Sequence, residues 1–194
     1  MRHIVVVALS ALLTLAALPL SASANSLYLP VVGRNYSESV PPQTWTDLLT
    51  NGGFEDGLTG WLASSESGHD ILSALVGYDG TVALLGGNSE DTLAQDVTIP
   101  SGVSPVHLRF ALGVVATSAS DGGTLSAVLL STEGDLLEEL GTYEASSVSV
   151  RWMGCYSPDL SRYAGQTVRV QLQTMPDSQA VFAVDNVSLT VPAQ

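Results

Sequence analysis

Hydrophobic and polar residues alternate with a period of two along most of the chain beyond Asp47. Val106, Leu108, Phe110 and Leu112 interleave with His107, Arg109 and Ala111, and Val168, Val170 and Leu172 with Arg169, Gln171 and Gln173. Leu93, Val97 and Ile99 follow the same rule less cleanly against Ala94, Asp96 and Thr98. Successive side chains of a strand point to opposite faces, so this pattern predicts strands with one buried and one wet face. Ile71–Val76, Val82–Leu85, Leu125–Leu130, Val148–Trp152 and Val181–Val191 are apolar enough for buried strands. Turn signals separate them at Asp79-Gly80, Gly86-Gly87-Asn88, Asp121-Gly122-Gly123, Glu133-Gly134-Asp135 and Pro176-Asp177. No amphipathic stretch of three helical turns occurs. Asp159–Ala164, with an Asp or Ser cap, suits a single turn. Eight or nine short strands at regular spacing predict an all-β domain, a sandwich or a barrel.

The last strand contains a conflict of phase. Val187, Leu189 and Val191 share their parity with Asp185, whereas Phe182 and Val184 fall on the other. One regular strand cannot bury both sets on one face. A bulge near Asp185-Asn186 resolves the conflict and aims Asp185 at a local site.

The ends of the chain change the picture less than its middle. Arg2, the apolar Ile4–Leu20 and Ala22-Ser23-Ala24 read as a signal peptide over residues 1–24, so the chain is expected to be secreted. The apolar run is short for a membrane span, and no second such segment follows. Residues 25–46 read as an extended, proline-containing tether outside the sheet interior. The tether holds the string Tyr28-Leu29-Pro30 … Arg34-Asn35-Tyr36, similar to a short segment near the ends of exported bacterial proteins; it suits an interaction or sorting tag and a linker equally. Trp45 at its end either folds back on the domain or stays exposed. Residues 47–194 form the predicted domain, long enough for one sizeable core.

Charge narrows the partners. All nineteen acidic residues lie beyond the leader, against five arginines and no lysine, for a mature formal charge of −14. Such a field repels phosphate backbones and excludes nucleic acid and anionic lipid as partners. Cys155 is the only cysteine, so no intrachain disulfide forms, and without a flanking His or Lys it reads as a buried, inert thiol. Catalytic patterns are missing too: no Gly-x-Ser-x-Gly elbow occurs, and His69 and His107 lack the spacing of a metal triad. Glu55-Asp56 and Glu138-Glu139 are adjacent pairs, which a strand points to opposite faces, so the chain reads as a non-enzyme. Asn-x-Ser sequons at Asn35 and Asn186 read as chance matches.

Two segments at opposite ends of the domain point to a family. Asn51-Gly52-Gly53-Phe54-Glu55-Asp56-Gly57-Leu58-Thr59-Gly60-Trp61 resembles the opening of galactose-binding-like jelly-roll modules of the carbohydrate-binding-module type, and of related adhesion-type domains of exported bacterial proteins. Leu93–Pro100 resembles their second or third strand, Asp159–Val168 the turn before their penultimate strands, and Phe182–Leu189 their closing strand. The resemblance covers Leu48–Val191 and implies a jelly-roll β-sandwich of antiparallel strands. It also implies a structural Ca²⁺ joining the first and last strands, held by Glu55 and Asp185 with backbone carbonyls around Asn51–Gly53. A cation with oxygen ligands would relieve repulsion between two converging carboxylates. Without one, Glu55 would cap a local turn and Asp185 would accept amides at the bulge.

The resemblance implies binding of a polysaccharide, or of an extracellular protein in the adhesive or structural variants. Sugar recognition needs an exposed aromatic platform. Trp61 matches the family's core tryptophan, and Phe54, Phe110 and Phe182 read as core. Trp152, Tyr78 and Tyr143 are the candidate platform residues, Trp152 suiting either core or cleft.

Overall fold

A computed structural model describes residues 43–74, 80–115, 122–148 and 152–193, all within one compact unit. The signal segment, most of the tether with its Tyr28–Tyr36 string, and Tyr78 lie outside the described residues. Eleven strands are present among the described residues, and every pairing is antiparallel. They are β1 (Trp45–Asp47), β2 (Leu62–Ser65), β3 (Leu72–Ala74), β4 (Thr81–Gly86), β5 (Asp91–Thr98) and β6 (His107–Val115). Then follow β7 (Thr124–Leu130), β8 (Leu136–Glu144), β9 (Met153–Tyr156), β10 (Thr167–Thr174) and β11 (Val181–Pro192).

Sheet A runs β3-β4-β11-β6-β9, with β1 also paired to β11; sheet B runs β2-β5-β10-β7-β8. The fold is the expected jelly-roll sandwich. Its extra strands are segments of three or four residues, too short to show a period.

The alternating residues meet between the sheets. Leu85, Leu108, Leu112 and Phe182 from sheet A face Leu93, Leu125, Leu129 and Leu172 from sheet B, all fully buried. Each such side chain stabilises the fold by about 2 kcal/mol relative to exposure. Phe54 and Trp61 of the opening segment join this core, their ring centroids 5.5 Å apart.

Three elements differ from the sequence pattern. Of the strand expected at Val148–Trp152, Val148 lies in a bend, its amide bonded to the Glu144 and Ala145 carbonyls, residues 149–151 lie outside the described residues, and β9 is described from Met153. Strand β8 carries no clean alternation because two register shifts against β7 interrupt it. Gln95 is buried despite its polarity, because its side-chain amide clamps Thr50: Oε1 accepts the Thr50 amide at 2.8 Å and Nε2 donates to the Thr50 carbonyl at 3.0 Å. The single helical turn is a 3₁₀ turn at Ser161–Tyr163, and Asp159 Oδ1 accepts the Val106 and Ser161 amides beside it.

Candidate functional site

The predicted bulge is present. The β6–β11 register shifts between Asp185 and Ser188, and Asn186 adopts φ 51°. Phe182 and Val184 precede the shift and Val187, Leu189 and Val191 follow it, all packed into the core. The loop at residues 51–57 sits on this bulge. The Gly52 carbonyl accepts the Val187 amide at 2.9 Å, and a Cβ on Gly52 would stand 1.8 Å from the Val187 carbonyl oxygen. Only glycine permits that approach.

Glu55 and Asp185 each accept a backbone amide near the β4–β11 pairing. Glu55 Oε1 accepts the Thr81 amide at 2.7 Å, two residues beyond the last β4–β11 pair, Ala83↔Val184. Asp185 is buried, its Oδ1 accepting the Asn186 amide at 2.6 Å. Asp185 Oδ1 and Asn186 Oδ1 each stand 3.8 Å from where a Gly53 Cβ would be. Asn51 serves the loop itself. Its Nδ2 donates to the Gly57 and Thr59 carbonyls, its Oδ1 accepts the Asp56 amide, and its carbonyl accepts Trp61 Nε1 at 3.0 Å.

An oxygen-lined cavity of about 240 Å³ adjoins the bulge, between Asp47, Gly53, Asn186 and Ser188. Burial raises the Asp47 carboxyl pKa, although the amides of Leu49, Leu189 and Leu48 oppose the shift. No group of three or more His, Cys, Asp or Glu side chains suited to a metal exists among the described residues. Asp47 is the one described carboxylate lining that cavity, while Glu55 and Asp185 lie outside its lining.

A second cleft, of about 330 Å³, opens on the outer face of sheet A beside β9. Its floor is made by residues with little or no side chain. Ala111 and Gly154 are cross-strand partners, and Gly113 lies next along β6. Cys155 points into the core, so Trp152, Gly154 and Tyr156 face outward. The Trp152 ring lies 3.6 Å from where a Gly113 Cβ would be, and the Tyr156 ring 3.4 Å from that of Gly154. The two glycines thus let both rings lie against the sheet. Tyr156 is 66% exposed. Arg109, its cross-strand partner, stacks its guanidinium 5.5 Å from the Tyr156 centroid and 5.7 Å from that of Trp45, which folds back from β1.

Of the three platform candidates, Trp152 lines this cleft, and Tyr78 lies outside the described residues. Tyr143 is a correction. Its ring packs edge-on against Phe110 at 5.5 Å and its hydroxyl bonds Cys155, so it is turned inward and offers no platform. Burial raises the Tyr143 pKa well above its usual value and pushes the Cys155 thiol up to about 11, keeping both protonated. Tyr156 and Arg109 also line the cleft, and Trp45 lies behind Arg109; sequence pattern does not pick out the Arg109–Tyr156 pair, because only the β6–β9 register reveals that they meet.

A serine–histidine–carboxylate grouping is also present. Ser67 Oγ is 2.8 Å and Ser65 Oγ 3.0 Å from His69 Nδ1, while Asp91 Oδ2 is 3.5 Å from His69 Nε2. In a hydrolytic triad the carboxylate orients Nδ1 and the serine meets Nε2, the reverse of this order. Asp91 is instead committed to the Gly86 amide and Ser89 hydroxyl, and these residues line neither of the two clefts above. The grouping ties the β2 end to the β4–β5 turn.

No family model matches the sequence, and no curated protein is similar to it in sequence. Similar solved structures do exist. A family 61 carbohydrate-binding module in complex with β-1,4-galactotriose aligns over 74% of this chain and 97% of its own, at 14% identity and TM-score 0.54. The family 22 xylan-binding domain of Paenibacillus barcinonensis Xyn10C aligns over 79% and 99%, at 17% identity and TM-score 0.54. The K3 cleaved adhesin domain of Lys-gingipain from Porphyromonas gingivalis aligns over 76% and 99%, at 14% identity and TM-score 0.56. The chain has the fold of carbohydrate-binding jelly-roll modules. At these identities the likeness establishes the fold and nothing finer.

Proposed function

We propose that this chain is an exported, non-catalytic module that binds a polysaccharide on the outer face of sheet A. The observation that carries the reading is the cleft lined by Trp152 and Tyr156 beside Ala111 and Gly154, the two rings lying against Gly113 and Gly154. Aromatic rings beside a shallow groove suit the apolar C–H face of a sugar, and polar groups at the rim fix its orientation. Asn186 supplies an amide at that rim. The non-catalytic reading is supported by the reversed serine–histidine order and by the commitment of Asp91. A glycan array on the full chain, followed by titration calorimetry on the hits, tests the proposal. Binding lost in Trp152→Ala and Tyr156→Ala supports it; a blank across plant, bacterial and host glycans overturns it in favour of a protein-binding or structural role.

A structural Ca²⁺ at the bulge belongs to the same proposal. Glu55 and Asp185 would hold it with backbone carbonyls of the 51–53 loop, and Asn51 would contribute by shaping that loop. The ion would replace repulsion between the two carboxylates by attraction and stiffen the attachment of loop to bulge. Chelation followed by calorimetry is expected to lower the melting temperature. No change on chelation, with no bound metal by elemental analysis, removes the ion from the account.

A further inference from the structure

Arg109 carries an inference about what the cleft selects. Two other described arginines are neutralised within the fold: Arg162 pairs with Glu138, and Arg169 with Asp96. Arg109 has no such partner. It makes no ion pair with a described carboxylate, and its buried Nε has no hydrogen-bond acceptor. Its contacts are the rings of Trp45 and Tyr156 on either side. In a chain with nineteen acidic residues, a guanidinium left without a carboxylate is a specific arrangement. Among the described residues, Arg109 is also the only charged side chain lining the cleft.

Stacking holds the planar group rigid, so little side-chain freedom is lost when a ligand engages it. With Nε buried, the two Nη amino groups are the donors offered to a ligand. They match the two oxygens of a carboxylate, in a charge-assisted pair stronger than a hydrogen bond to a neutral hydroxyl. A neutral sugar would offer the guanidinium only hydroxyl and ring oxygens, weaker acceptors in exchange for the water displaced.

We propose that the cleft binds an acidic polysaccharide, placing the carboxylate of a uronic acid residue against Arg109 while the aromatic rings take the sugar face. The proposal rests on the polysaccharide-binding reading above. The formal net charge of −13 repels a polyanion at long range. Binding therefore depends on this local pair, and nonspecific attraction cannot imitate it.

The test uses the full chain and oligogalacturonate and glucuronoxylan fragments, each compared with its carboxyl-reduced counterpart of the same linkage. At least one acidic fragment is expected to bind ten times or more tighter than its reduced form. Arg109→Gln is expected to erase that ratio while keeping weak binding of the reduced form, and Arg109→Lys to restore only part of it. Thermal unfolding of both variants checks that the fold is retained. Equal binding of acidic and reduced forms overturns the assignment, as does an Arg109→Gln loss of both forms alike. A sulfated neutral fragment binding as tightly as the uronate overturns the carboxylate in favour of a general anion. Neutral glycans binding while every uronate fails sinks this inference alone; failure of all glycans sinks the polysaccharide reading as well.

Discussion

The two outer faces of the sandwich treat charge in opposite ways. On sheet B, Arg169 and Asp96 are cross-strand partners joined by two hydrogen bonds, Nε to Oδ1 at 2.6 Å and Nη2 to Oδ2 at 3.0 Å. Thr98 and Thr167 bond across the same strand pair at 2.9 Å, and Gln171 donates to Gln173 at 2.7 Å. The polar groups of that face answer one another, and its β5–β10 register is unbroken. On sheet A, the central strand is bulged, a loop is seated on it, and the half-buried arginine is flanked by rings. A face that satisfies itself is a solvated cover. A face that leaves a cation and two aromatic rings against two glycines has capacity for a ligand.

The largest expected effect tests the seating of the loop on sheet A. Gly52→Ala forces a Cβ into the Val187 carbonyl and is expected to destabilise the protein by about 4 kcal/mol, measured by urea unfolding. A loss below about 1 kcal/mol would mean that the loop can lift away. Next comes the division of labour between the faces. Tyr156→Ala is expected to weaken glycan binding by about 2 kcal/mol, roughly thirtyfold, with little change in melting temperature because the ring is exposed. Gln171→Ala on sheet B is expected to leave binding unchanged, and an equal loss from both would erase the contrast.

The smallest effect belongs to the sheet B ion pair. The pair is partly exposed, so Asp96→Asn is expected to cost about 0.5 kcal/mol. Arg169 lowers the Asp96 pKa in the folded state. The contribution is therefore fully present above the unfolded carboxylate pKa of about 4 and is lost as pH falls through the lower folded value. Wild type and Asp96→Asn should differ in melting temperature at pH 7 and converge in strong acid. A difference that persists there would assign the effect to packing.

The sequence was most readable where each residue's fate depends on its immediate neighbours. Alternation located β5, β6 and β10, apolar runs located β4, β7 and β11, and the clash of parity between Phe182 and Val187 located the bulge. Strand β8 was hidden because its two register shifts reset the alternation. The site was readable in part: Trp152 stands out as an aromatic leading into a strand. Its companions do not, because Arg109 meets Tyr156 only through cross-strand register, and Trp45 arrives from the end of a segment with tether composition. Tyr143 failed as a candidate for the same reason: its partners, Phe110 and Cys155, come from two other strands.

The position of β11 bears on how the chain reaches this state. It is the last described strand in sequence, yet it fills the middle of sheet A, between β4 and β6 and beside β1. During synthesis, β4 and β6 have no shared partner until residues 181–192 arrive. Half of the sandwich therefore cannot close early, and most of its pairings join distant parts of the chain, a topology that folds slowly. Until that strand arrives, β4 and β6 present unpaired edges of the kind that invite association with other chains. The timing of β11 thus sets both when the domain becomes native and how long it stays vulnerable.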